Sequence, residues 1–192
     1  MAFLDFSKAF DTINHEMLLA KLKFFGLSDK SIAFFKSYLE DRSHCVILKE
    51  FESCAKSTFS PVKTGVPQGS ILGPLLFSIY VADMHNVLTQ SKILQYADDS
   101  QIYLSFSPNN FPAFQQTFTK EINMINKYAH DHNLKLNASK SSIILFGNNK
   151  NQVANFSNVI NIQIQNAPLP VVTEAKNLGI VFDNNLLFEM HI

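Results

Sequence analysis

The stretch Ile93-Leu-Gln-Tyr-Ala-Asp98-Asp99-Ser-Gln-Ile-Tyr-Leu-Ser-Phe106 decides how this chain is read. Two strand-like runs, Ile93 to Ala97 and Gln101 to Phe106, flank an acidic pair, the pattern of a β-hairpin with carboxylates at its tip. Adjacent carboxylates repel each other unless water or a cation neutralises them. Asp also favours turns. Two readings therefore stand at this point: a solvated turn, or part of a cation site.

Asp5 bears on that choice. It interrupts the short buried strand expected over Ala2 to Phe6, where burial disfavours a carboxylate. Alone, it is a strand-end residue that escapes to water. Beside a carboxylate pair on a neighbouring hairpin, it suits Mg²⁺, which prefers oxygen ligands and keeps water and phosphate in its shell. Two such ions about 3.5–4 Å apart activate an attacking hydroxyl and stabilise a leaving pyrophosphate.

Between these acidic segments the pattern is mostly helical. Asn14 caps a helix to about Phe25, ended by Gly26, and Ser28 caps a second with Ile32, Phe35 and Leu39 on one face. Cys45 to Leu48 and Ser57 to Val62 read as strands. Gly65-Val-Pro-Gln-Gly69 is a loop, after which Pro74 opens a helix to about Leu88 that is apolar nearly all round and expected to be buried. Phe111 to about His130 is an amphipathic helix. Ser141 to Phe146 is a strand, residues 148–166 an Asn-rich surface connection, and Val171 to Thr173 with Leu178 to Phe182 a final hairpin. Helices and strands alternate irregularly, which favours an α+β fold with an antiparallel sheet over a doubly wound one.

At 192 residues and 46% hydrophobic content the chain can build a real core. The formal net charge is +0, and Arg42 is the only arginine, whereas a grip on phosphates usually leaves a basic footprint. Cys45 and Cys54 lack disulfide or zinc spacing and point to a reduced, intracellular setting. The longest apolar run, Ile71 to Met84, is shorter than the roughly 20 residues a bilayer requires, so no membrane partner is expected.

Five segments together resemble a known family. Phe3-Leu-Asp-Phe-Ser-Lys-Ala-Phe-Asp11 resembles the first motif of non-LTR reverse transcriptases, and Gly65-Val-Pro-Gln-Gly-Ser-Ile-Leu-Gly-Pro74 the second. Tyr96-Ala-Asp-Asp99 resembles the third, Asn137-Ala-Ser-Lys140 the fourth, and Asn177-Leu-Gly-Ile-Val-Phe-Asp183 the fifth. The ten-residue second motif and the shared order make the match specific. The resemblance implies a polymerase palm over residues 1–192, with an RRM- or ferredoxin-like antiparallel sheet packed on helices and a C-terminal hairpin.

It also implies roles. Asp5 and Asp98 would hold two Mg²⁺ ions, or Mn²⁺ in their place, with Asp99 assisting. Phe6, Ser7, Gln68 and Gly69 would line the nucleotide site. Phe10 would exclude the 2′-hydroxyl, unless it is an ordinary core aromatic. Lys140 would face the departing pyrophosphate, unless it is a surface lysine. Lys8 reads as solvated, Asp11 as structural, and His130 and His132 as solvated. The implied partners are an RNA template, a DNA primer and deoxynucleoside triphosphates, with the nucleus allowed as location. Fingers and thumb are expected outside the chain, which accounts for the charge of +0 and leaves the isolated palm weak or inactive. The alternatives are a non-enzymatic remnant that binds protein or nucleic acid, and an unrelated enzyme with chance carboxylates.

Overall fold

The structure is a computed structural model that describes residues 1–50 and 53–188. These fall into two compact units, one of Met1–Ala9 with Val81–Ile192 and one of Phe10–Tyr80. Along the chain the named elements are β1 (Ala2–Leu4), α1 (His15–Phe24), α2 (Asp29–Leu39), β2 (Ser43–His44), β3 (Ile47–Glu50), β4 (Ser53–Lys56), β5 (Ser60–Pro61) and α3 (Leu72–Tyr80). Then follow β6 (Lys92–Tyr96), β7 (Asp99–Tyr103), α4 (Phe111–Asp131), β8 (Ser142–Ile143), α5 (Lys150–Val159), β9 (Gln163–Ile164), β10 (Ala167–Pro168), β11 (Glu174–Asn177) and β12 (Ile180–Asp183). Among the described residues the fold is mixed α and β, with five α-helices, and every pairing between these strands is antiparallel.

The first unit is built on a four-stranded sheet in the order β6-β7-β1-β8. Ala2, Phe3 and Leu4 are all buried, as a central strand of three apolar residues must be. The amphipathic helix α4 buries Phe114, Phe118, Ile122 and Ile125 at helical spacing. Phe114 stacks on Phe106 with ring centroids 4.0 Å apart, and Phe111 stacks on Phe156 of α5 at 4.4 Å. A buried acid, Glu121, projects from α4 and ties the 89–91 loop to it. Its Oε1 accepts from Thr89 N, Thr89 Oγ1 and Gln90 N at 2.7 Å each, and its Oε2 accepts from Ser91 N at 2.9 Å. Desolvation opposes ionisation here, but those four donors outweigh it and hold the carboxyl at about 2, below its ordinary 4.5.

In the second unit α1 packs on α2 and α3. Both expected caps are in place: Asn14 Oδ1 accepts from Met17 N at 2.9 Å, and Ser28 Oγ accepts from Ser31 N at 3.3 Å. Lys21 Nζ donates to Tyr80 O at 2.6 Å, which engages a carbonyl that the end of α3 leaves orphaned.

Several boundaries depart from the sequence reading. The helix expected to reach Leu88 stops at Tyr80, and a short 3-10 turn, Met84–Val87, follows. Nor is it buried all round, since Ile71 just ahead of it is 95% exposed and Leu75 within it 54%. The strands expected over Cys45 to Leu48 and Ser57 to Val62 are four shorter pieces. Ser43 pairs with Pro61 and His44 with Ser60, but Ile47 pairs with Lys56. Two residues (45 and 46) on one side thus oppose three (57 to 59) on the other, so the ladder slips at a bulge.

The 148–166 connection contains helix α5, because Asn149 caps it through Gln152 N at 3.1 Å and Phe156 supplies an apolar anchor. The strand expected over Ser141 to Phe146 is only Ser142–Ile143. The last two strands are Glu174–Asn177 and Ile180–Asp183, joined by a turn in which Leu178 and Gly179 have φ of +48° and +82°. That is the sign pattern of a type I′ turn. Among the described residues no helix is long and apolar enough to cross a membrane.

Candidate active site

The end of β1 is where the first unit brings its acidic residues together. Asp5, half-buried, leaves the sheet directly after Leu4. Its backbone is clamped from both sides by the 137–141 segment: Asp5 N donates to Ser141 Oγ at 3.1 Å, and Asn137 N donates to Asp5 O at 2.8 Å. Ser141 Oγ in turn donates to Asn137 O at 2.7 Å. Next along the chain, Phe6 bridges to Leu136 and Ser7 N donates to Lys135 O at 2.8 Å. The first and fourth motifs are therefore one interlocked piece of backbone.

The acidic hairpin lies on the adjoining strand. Tyr96 and Asp99 form its closing pair, so Ala97 and Asp98 are a two-residue turn. Ala97 has φ of +51°, the sign that primed hairpin turns require at this position and a strained one for a residue with a Cβ. The β1–β7 register sets Leu4 opposite Ser100, so Asp5 follows β1 where Asp99 precedes Ser100 on β7. Desolvation, then the charge of Asp98, then that of Asp5, push the Asp99 carboxyl above its ordinary range. Asp99 thus sits among like charges at a strand end, an arrangement that a bound cation relieves. Among the described residues, no group of three His, Cys, Asp or Glu side chains forms a ready-made metal cage. The oxygen-only donors suit a hard cation whose shell water and phosphate complete.

The other candidates are placed as follows. The Phe6 ring is buried, and its backbone is engaged in the bridge to Leu136. Ser7 is half-buried, and Lys8 is exposed with φ of +52°. Lys140 is exposed, on the turn that follows Asn137. His130 is exposed, whereas His132 is half-buried, its ring stacked 3.8 Å from Tyr128.

In the second unit, Phe10 is half-buried, its ring 5.1 Å from that of Phe77. Gln68 is exposed, and its Nε2 donates to Asp11 Oδ1 at 2.8 Å, so Asp11 holds the amide of the second motif. Gly69 has φ of +79° and open space where a Cβ would stand. Gly65 is the tighter position: at φ of +83°, a Cβ there would lie 2.7 Å from both Asp11 Cα and Phe10 O.

Sequence reasoning missed three of these supports. Gly65 gives no hint of which backbone approaches it. Asn177 accepts from Gln101 Nε2 and links β11 to β7, again without a local signal. Asn137 and Ser141 did leave one. Asn two residues before a serine is an Asx-turn pattern, and Ser139 N and Oγ both donate to Asn137 Oδ1.

A strand-end aspartate beside an aspartate hairpin, with the five motifs in order, is the arrangement that the sequence resemblance implies. The chain belongs to the reverse transcriptase (RNA-dependent DNA polymerase) family, which matches residues 1–182. It is 31% identical over its whole length to "RNA-directed DNA polymerase from mobile element jockey" of Drosophila melanogaster. It is 33% identical over 99% of its length to "Probable RNA-directed DNA polymerase from transposon X-element", and 30% identical over 99% to "Probable RNA-directed DNA polymerase from transposon BS", both of the same fly. The chain spans 20% of the length of each of these relatives.

Proposed function

We propose that this chain is the palm of an RNA-directed DNA polymerase of a non-LTR retrotransposon, with an RRM-like sheet and a C-terminal hairpin. It adds deoxynucleotides to a primer 3′-hydroxyl on an RNA template. The observation that carries this reading is the placement of Asp5 directly after β1, with Asp98 and Asp99 on the β6–β7 hairpin that pairs with that strand. Asp5 and Asp98 are the ligands for Mg²⁺, or for Mn²⁺ as a substitute, and Asp99 assists. Such ions, when bound, lower the pKa of the attacking hydroxyl and neutralise charge on the leaving phosphate. The chain's own groups do the rest. Phe6 and Ser7 line the nucleotide site, and Phe10 packs against the sugar where a 2′-hydroxyl would sit. Gln68 and Gly69 line the nucleotide pocket, and Lys140 faces the leaving pyrophosphate.

Primer extension on poly(rA)/oligo(dT) with Mg²⁺ tests the activity, and Mn²⁺ titration followed by electron paramagnetic resonance tests the site. Asp5→Asn and Asp98→Asn are expected to abolish extension and to weaken Mn²⁺ binding at least tenfold, about 1.4 kcal/mol. Unchanged Mn²⁺ binding in both variants sinks the assignment. The net charge of +0 favours a second reading, in which the chain binds partners but does not polymerise. Tight Mn²⁺ binding without any extension would select it.

A further inference from the structure

Arg42, the only arginine, sits in the second unit just after Asp41, whose φ of +54° turns the chain out of helix α2. Its carbonyl accepts from Val62 N at 2.8 Å, which fixes its backbone at the foot of the β2–β5 ladder. The side chain is half-buried, and its Nη1 is shielded from solvent without any hydrogen-bond partner. A shielded, unpaired N–H on a guanidinium that never loses its charge is unfavourable. A side-chain shift toward an incoming oxyanion supplies the missing acceptor.

Space for one adjoins it. A cavity of about 430 Å³ is lined by Arg42, His44, Lys63, Thr64, Gln68 and Asp11, among others. The single carboxylate among these six, that of Asp11, already accepts from Gln68 Nε2. Arg42 and Lys63 against Asp11 leave the wall net positive. The surrounding sequence continues the bias, with Arg42, Lys49, Lys56 and Lys63 against Glu50 and Glu52 over residues 42–63. We infer that the Arg42 cavity is a phosphate-binding site, in which the planar guanidinium fork grips one phosphate group of a polynucleotide backbone or of a nucleoside triphosphate. The fork suits a tetrahedral oxyanion presented edge-on, and the volume admits the attached sugar.

The inference rests on the polymerase reading only for its choice of probes. Asp98→Asn stops extension under that reading without touching this cavity, so the two fail separately. The test uses the whole chain and two probes, a fluorescently labelled 12-nucleotide single-stranded RNA and dTTP, with circular dichroism to verify folding. Arg42→Gln is expected to lower affinity for the RNA about tenfold and to reduce the salt slope by about one phosphate. Arg42→Lys keeps the charge but loses the fork, and should fall between the two. A tenfold loss for dTTP with unchanged RNA affinity assigns the phosphate to the nucleotide. If Arg42→Gln does not fold, Lys63→Gln, altered on the exposed rim of the same cavity, is expected to lose the same salt slope. Folded variants that bind RNA and dTTP like the parent chain overturn the site.

Discussion

Single side chains decide more here than their number suggests. Glu121 is buried and ionised, held at about 2 by four donors. Its folded pKa lies below its ordinary 4.5, so the stability it contributes is fully present above about pH 4.5 and is lost as pH falls toward 2. The shift corresponds to about 3 kcal/mol. Glu121→Gln is expected to destabilise the fold by that order at pH 7, and urea melts at pH 7 and pH 3 should show the gap closing in acid.

Glycines offer a second contrast. Gly65→Ala drives a methyl into the Phe10–Asp11 backbone and is expected to unfold the second unit or cost more than 3 kcal/mol, whereas Gly69→Ala pays only for its positive φ, about 1 kcal/mol. Thermal melts of the two variants rank them. Phe10→Ala is expected to admit ribonucleotides when incorporation of rNTP and dNTP is compared in a polymerising form of the protein. Because Phe10 also packs on Phe77, the ratio is the readout, not the rate. An unchanged ratio returns Phe10 to the core. At this scale Asp5 was legible because a carboxylate in an apolar strand is expensive. Gly65 was not, because its neighbours come from another stretch of chain.

Elements were legible wherever a cap and a periodic face coincided. Helices α1, α2 and α4 start within a residue or so of the reading because Asn14, Ser28 and Pro112 punctuate them. Helix α5 was hidden by its composition, since Asn is a poor helix former and only Val153 and Phe156 mark its inner face. The cap therefore carries unusual weight. Asn149→Ala is expected to cost about 1 kcal/mol, with loss of amide protection confined to Lys150–Val159 and hydrogen exchange as the measurement. Equal protection in both proteins would mean that Phe156 stacking alone holds the helix. The premature end of α3 was illegible for a different reason. Val81 and Met84 are as apolar as the helix, but both are buried in a tighter turn, in which Met84 N donates to Val81 O. Hydropathy alone cannot separate a helix from such a turn.

Over the whole molecule, charge and exposed apolar area act in the same direction. The net charge is +0, and the second unit displays Phe24, Phe34, Leu48, Phe59 and Ile71 to solvent. Exposed side chains of this size favour association, and zero net charge removes the repulsion that keeps chains apart. The isolated chain is expected to self-associate at micromolar concentration. Phe24→Glu with Ile71→Glu should restore a monomer in light scattering without lowering the melting temperature.

The order of the central sheet also has a consequence in time. Strand β1 precedes both its neighbours in the chain, and β7 and β8 come about a hundred or more residues after it. At roughly 5–20 residues per second of synthesis, Ala2–Leu4 waits on the order of ten seconds or more for the second of them. The backbone of Asp5 waits equally long for Ser141, while the local β6–β7 hairpin can form at once. A ribosome stalled before Ser141 therefore carries a chain whose acidic hairpin can already pair but whose Asp5 has no seat.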